Sequence, residues 1–518
     1  MKCFQTKWIA AIGVALLMTI ACDGNGEEQE QQDVGVEDTG PALDTSGDAD
    51  APAPQEDVAD EGDSGEDADA VVEPDVEDAG EADVDADADV DEPPPIEHPV
   101  CEPKGGECFY IAAVEGSGEG TYEDPFGLAD LPASDTSYCE LESPAMEALQ
   151  PGDVLYFRDG EYELHGCSGS YWARGYLRTG QSGTEDNPIT IRAYPEEEVI
   201  LRMMSGNQPG LGNAGESFVR YLGFIIEPET AAGLRIQGGQ GIEVAYNEFV
   251  GQYRDTTDNH DGLRIETTDA PWVHHNIIRD TTGEGPNSAG IKVYTTNEAL
   301  IEDNYIHSNT AGVYDKDSGI DNTYRRNFIT GNEDYQWYGN NQGEVSTIYF
   351  YDNVIDGRVE LHFLTEDSEI HDNLVRSNSL SGAWAGQTWR TSLWNNIVVT
   401  DEDEIRAYSE SQNPFSNSGD ERHLEYMDHN LYTAPPTYRF GIYSDDPSTF
   451  DLEDMRQMGF ELQSQVADAT DIFFDQEAYE LHEQWERFGR DGTDPGPEDV
   501  EQVLDTDRYG PLNLPWDY

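Results

Sequence analysis

Lysine is almost missing from this chain. Only five occur in 518 residues, at positions 2, 7, 104, 292 and 316, and acidic residues outnumber basic ones 108 to 27. The resulting formal charge of −81 excludes a general polyanion binder such as a nucleic-acid coat, because that binding rests on neutralising phosphates. Nowhere is there an apolar run long enough to cross a bilayer. The run Trp8 to Ile20 falls short of that length, follows Lys2 and Lys7, and reads as an export leader. Cysteine is scarce too: beyond the leader region only Cys101, Cys108, Cys139 and Cys167 remain, all early in the foldable part. In an exported chain these predict two disulfides, with the pairing undetermined among three connectivities. CEPKGGEC lacks the second close pair or histidine motif of a metal site.

The leader ends in TIAC, Thr19 to Cys22. This resembles a bacterial lipoprotein signal, which implies cleavage after residue 21 and lipidation of Cys22. The expected location is then the bacterial cell envelope, at the outer membrane or cell surface, with the lipid as the membrane contact. The alternative is a secreted or periplasmic protein. Residues 22–98 are mostly Asp, Glu, Ala, Gly, Val and Pro without Lys or Arg, too polar and too like-charged to bury a core. They are expected to form a disordered acidic tether, which as a flexible coil would reach about 50 Å.

What the chain does have is a repeat. The pattern apolar-x-x-Asn-x-apolar recurs as VAYNEF, VHHNII, IEDNYI, YRRNFI, FYDNVI, IHDNLV, LWNNIV and MDHNLY. Its Asn positions are 247, 276, 304, 327, 353, 373, 396 and 430, spaced 20 to 34 residues apart. A loose period of this size marks a solenoid, and the short β-rich runs make it one of strands. Asn tolerates left-handed backbone and bonds its amide to nearby main chain, so each Asn is expected at a turn between sheets and stacked on its neighbours.

Ahead of the repeats lie FYIAAVEGSGEGTYEDPF, a helix-like stretch at Ala145 to Leu149, and LQPGDVLYFRDGEYEL. This opening resembles that of right-handed parallel β-helix proteins related to pectate lyases. The expected fold is therefore all-β: a right-handed parallel β-helix over residues 99–435 with an N-terminal cap. Residues 436–518 should form an irregular C-terminal cap, including a helix over EAYELHEQWERFG, Glu477 to Gly489.

The repeat also serves as a ruler. DGLRIET from Asp261, AGIKVYT from Ala289, AGVYDKD from Ala311 and RVELHFL from Arg358 align as strands of successive rungs. Alternate residues face opposite ways. Arg264, Lys292, Tyr314 and Glu360 then form one outward column, and Glu266, Tyr294, Lys316 and His362 the next. Two of the three lysines beyond the leader thus meet on one face, with the loop aromatics Trp337 and Tyr338 beside them. Asp315 breaks the alternation at a position that is apolar in the other rungs.

Such a face suits β-elimination on a uronate-containing polysaccharide. A base removes the proton α to the carboxylate while a cation neutralises that carboxylate. KDSGIDNTYRRNF, Lys316 to Phe328, is similar to the lysine segment of family 6 polysaccharide lyases, which include alginate lyases and chondroitinase B. The resemblance implies a catalytic Lys316, with Asn322, Arg325 and the turn Asn327 following it. That family places two Glu ligands for Ca²⁺ shortly before the lysine, where this chain has Asn309 and Ala311. Catalytic candidates are Lys316, Lys292, Arg264 and Arg325. Substrate contacts are expected from Tyr294, Tyr314, Glu360, His362, Trp337 and Tyr338, and Ca²⁺ from Asp315, Asp317 and Asp321. Two other readings stay open: a non-catalytic surface protein for glycan binding or adhesion, and a glycoside hydrolase using paired carboxylates such as Asp258 and Asp261 with His260. His274 and His275 read as solvated turn residues. A monomer is expected, with no nucleic-acid partner.

Overall fold

In a computed structural model, the described residues are 106–128, 144–165, 179–204, 211–228, 232–253, 260–317, 319–340, 346–376, 384–400, 402–410, 424–440, 448–476 and 479–515. The leader, the acidic tether, Cys22, Cys101, Cys139, Cys167 and Asp258 lie outside them. Cys108 is disulfide-bonded.

Three long sheets of 12, 12 and 11 strands wind in parallel, each strand pairing with its counterpart one coil on, except that Ser448–Asp451 ends the third sheet antiparallel to Pro436–Phe440. This is the right-handed parallel β-helix. One coil shows the logic. Leu300–Glu302 lies in the first sheet, Tyr305–His307 in the second and Ala311–Lys316 in the third. Inward residues stack like on like: Val273, Ile301, Tyr324, Phe350, Ile370 and Leu393 form one fully buried column. Burying each such side chain contributes about 1.5–3 kcal/mol.

The eight repeat Asn residues form a continuous internal ladder. In the first six, Asn247 to Asn373, the side-chain amide bonds the carbonyl two residues back, closing the local bend, and also reaches the neighbouring coils. Asn304 Nδ2 donates to Glu302 O at 2.9 Å and Val273 O at 3.0 Å, while its Oδ1 accepts from Asn276 N at 3.1 Å. The ladder begins where Phe224 N donates to Asn247 Oδ1 at 3.0 Å. It ends where Asn430 N donates to Ser464 Oγ at 2.8 Å, above the buried Glu461. One detail differs from expectation. The left-handed residue is the one before each Asn: Tyr246, His275, Asp303, Arg326, Asp352, Asp372, Asn395 and His429 all have φ between 51° and 59°. The chain turns there so that the following Asn can point inward.

Two boundaries are corrected. Residues 331–340, read from the sequence as part of a loop, are not one, because Tyr335–Asn340 forms a full third-sheet strand between those of Ala311–Lys316 and Val359–Glu366. Residues 479–489, the described part of the expected helix, are not helical: Glu480–Leu481 pairs antiparallel with Phe473–Asp475, and turns follow. Leu481, Trp485 and Phe488 still reach one apolar cluster with Ile472 and Phe473, so side-chain burial was met without helical backbone.

The C-terminal segment is less a cap than a strap. Beyond Arg490 it runs back along the solenoid, touching the left-handed residues in turn. Asn395 Oδ1 accepts from Arg490 N at 2.6 Å, and Asp352 Oδ1 from Glu498 N at 3.2 Å. Arg508 Nη2 donates to Asp303 Oδ1 at 2.7 Å. Leu514 packs on Leu222, Ala245 and Tyr246.

Candidate functional site

Strand register fixes the outer face of the third sheet. Arg235, Arg264, Lys292, Tyr314, Tyr338 and Glu360 are successive partners along one column. Gln237, Glu266, Tyr294, Lys316, Asn340 and His362 form the next. Coils are ~4.8 Å apart. The two expected columns therefore exist, with one extra rung inserted between Tyr314 and Glu360. Cationic residues gather at the N-terminal rungs, tyrosines in the middle and an acid beyond.

Most of this face is covered. Lys292 is 0% exposed, and its Nζ donates to Asn287 Oδ1 at 3.1 Å and sits 5.1 Å from the Tyr314 ring centre. Burial, helped by Arg264 and Lys316, pulls its pKa down to about 8, while Asp261 and Glu266 oppose the shift. Arg264 bridges to Asp261 at 3.2 Å and to Glu266, which Arg235 Nε also meets at 3.0 Å. Lys316 and Tyr294 are only half-buried. Lys316 Nζ lies 5.8 Å from the Tyr294 ring and 5.9 Å from that of Tyr314, so it forms the accessible edge of the row. Burial and a hydrogen bond to Asp317 push the Tyr294 hydroxyl up to about 12.

Several expected members are elsewhere. Arg325 belongs to the first sheet, where Nε donates to Glu302 Oε2 at 2.6 Å and Nη1 to the Tyr351 hydroxyl at 3.2 Å. A side chain on another sheet cannot serve this face. Trp337 points inward and is wholly buried against Tyr324 and Phe350, because it takes the position of Val313 in the next coil. Tyr338 does face outward, stacked 4.5 Å from Tyr335 and 5.0 Å from Tyr314. Glu360 is buried beside Arg358. The side chain of His362 lies outside the described residues.

The Asp triad does not converge. Asp315 turns into the core, where Oδ2 accepts from the Tyr324 hydroxyl at 2.7 Å and burial pushes its pKa up to about 6. Asp317 faces Tyr294, and Asp321 accepts from the Tyr349 hydroxyl at 3.5 Å. Among the described residues no three His, Cys, Asp or Glu groups are placed to hold a metal ion.

Asp261, read from the sequence as half of a possible carboxylate pair whose other member lies outside the described residues, is fully buried on this face, and its Oδ1 has no hydrogen-bond partner among the described residues. Its register partners are Ala232 and Ala289, with Ala311 next. A charge in an alanine column is the signal that marks it.

The fold and this face define a right-handed parallel β-helix with a charged, tyrosine-lined third sheet. Residues 222–433 match the family model described as NosD, periplasmic copper-binding protein. Among solved structures, the chain is similar to pectate lyase Pel9A at 12% identity, over 60% of this chain and 80% of that one, with TM-score 0.44. It is also similar to the PL6 family alginate lyase AlyGC at 12% identity, over 72% of this chain and 57% of that one, with TM-score 0.44. A GH136 lacto-N-biosidase from Eubacterium ramulus matches at 13% identity, over 63% of this chain and 64% of that one, with TM-score 0.28. No curated protein matches.

Copper does not fit the His274–His275 pair. His274 and His275 are not solvated; their Nδ1 atoms lie 2.9 Å apart, and His274 Nε2 is 3.3 Å from Glu243. His275 Nε2 is 3.3 Å from Arg508 Nη2, which can only donate, so that nitrogen is an acceptor and the ring proton sits on Nδ1. The Nδ1 pair is thus closed by its own hydrogen bond.

Proposed function

We propose that this is an exported envelope protein that binds an acidic polysaccharide along the outer face of the third sheet and cleaves it by β-elimination. The observation that carries the reading is the placement of Lys292 and Lys316 on adjacent rungs of one face, in a chain with only three lysines beyond its leader. Lys316, at the accessible edge, takes the proton α to a uronate carboxylate. The electron pair forms the C=C bond as the β C–O bond breaks, and the leaving oxygen takes a proton from water. The Arg264–Lys292 row supplies the positive field that acidifies the α proton. Tyr294 and Tyr314 border the sugar path. Export to the envelope is supported by the leader and by the likeness to a periplasmic family, and a lipid on Cys22 would tether the protein there. An assisting Ca²⁺ would need ligands other than the Asp triad.

One observation favours a second reading, glycan binding without cleavage: Arg264, Asp261 and Glu266 are buried and already paired. A panel of uronate polymers, followed by ultraviolet absorbance of unsaturated product, separates the two. Product from the wild type and none from Lys316→Ala supports elimination. Binding without product leaves the second reading, and neither binding nor product removes both.

A further inference from the structure

We propose that Asp261 is the positioning residue of the cation row: its buried carboxylate, bridged to Arg264, holds the neighbouring Lys292 in its charged form behind the Lys316 edge. This rests on the polysaccharide reading of the face and adds the group on which its positive field depends.

Among the described residues, Asp261 is the acid that acts most strongly on Lys292. Lys292 is packed by three elements. The strand His260–Glu266 brings Asp261, Arg264 and Glu266, the strand Ala311–Lys316 brings Tyr314 and Lys316, and the preceding turn brings Asn287. Arg264 and Lys316 disfavour a charge on Lys292, as does burial. Tyr314 and Asn287 are uncharged. Glu266 is held by Arg235 and Arg264. Asp261 is bridged by Arg264 through Oδ2, also accepts from the backbone N–H of Ala289, and is the largest favourable charge acting on Lys292. It is placed by register opposite Ala289, three residues before Lys292, and Asn287 O accepts from His260 N at 3.3 Å, which draws the turn against it. Without this carboxylate a wholly buried ammonium beside an arginine would release its proton. The row would then present one cation fewer to a polyanion.

The chain's few lysines make the test direct. The protein is labelled with ¹³Cε-lysine, resonances are assigned with Lys104→Arg and Lys316→Arg, and Lys292 is titrated. In the wild type its midpoint lies near about 8. Asp261→Asn lowers that midpoint by roughly one pH unit or more, and weakens polygalacturonate binding most between the two midpoints. Asp261→Ala is the second variant, since alanine already occupies this column in neighbouring rungs. An unchanged or raised Lys292 midpoint in a folded variant overturns the proposal. Loss of binding equal at all pH values does so too, because it indicates packing alone. Failure of the lyase reading shows separately, as absence of unsaturated product from the wild type.

Discussion

Asp315 occupies an inward position that is Val293 one coil before and Gly339 one coil after. It is 1% exposed, and its Oδ1 has no hydrogen-bond partner. Burial raises its pKa from 3.8 to about 6, opposed by hydrogen bonds from Tyr324 and Asn322. The folded state therefore keeps the proton over a pH range in which the unfolded chain has lost it. Stability from this residue is fully present below the unfolded value of about 3.9 and is lost as pH rises through about 6. The difference corresponds to about 3 kcal/mol at neutral pH. Asp315→Asn removes the ionisation and keeps an acceptor for the Tyr324 hydroxyl. Its new amide nitrogen needs an acceptor of its own, which costs about 1–2 kcal/mol. The expected net gain is about 1–2 kcal/mol at neutral pH, turning into a net loss of about 1–2 kcal/mol near pH ~4. Urea unfolding midpoints of wild type and variant, measured across that range, give the difference directly. Equal effects at both ends, or a larger gain in acid, would refute a buried ionisable Asp315.

Three further outcomes follow from the ladder and the strap. Asn304→Ala leaves buried groups of Val273, Glu302 and Asn276 unpaired, so it should cost roughly 3–5 kcal/mol in urea unfolding, far more than an exposed Asn. Arg508→Ala should cost only about 1–2 kcal/mol, because Arg326 still meets Asp303 at 2.7 Å, yet limited proteolysis should cut the strap sooner. Burial first, then His274 and Arg508, hold the His275 pKa down to about 4. Its imidazole resonance should not titrate above about pH 5, and Arg508→Ala should raise its midpoint. Stability tied to this neutral histidine is present above about 6.5 and is lost as pH falls toward about 4.

Much of the fold was legible because a solenoid repeats its instructions. Each apolar-x-x-Asn-x-apolar unit specifies an inward residue, a bend and a second strand. Stacking identical units makes register a local property, so Arg264, Lys292 and Tyr294 could be placed beside one another from spacing alone. The rung Tyr335–Asn340 escaped for the complementary reason. It carries Trp337 where other coils have Val, Ile or Leu, and an aromatic- and glycine-bearing stretch reads as a loop until neighbouring strands pair with it.

By itself, then, the sequence determined the coil, its period and which residues share a column, because those depend on alternation and neighbouring contacts. Only the tertiary structure decided which of these residues are covered. Exposure depends on what packs over a face from distant parts of the chain. That is why Lys292 proved buried and Lys316 half-exposed, why Arg325 went to another sheet, and why the tail became a strap. The charge state of the cation row belongs to the same class of fact, since it is set by burial and by Asp261, an acid from the preceding coil.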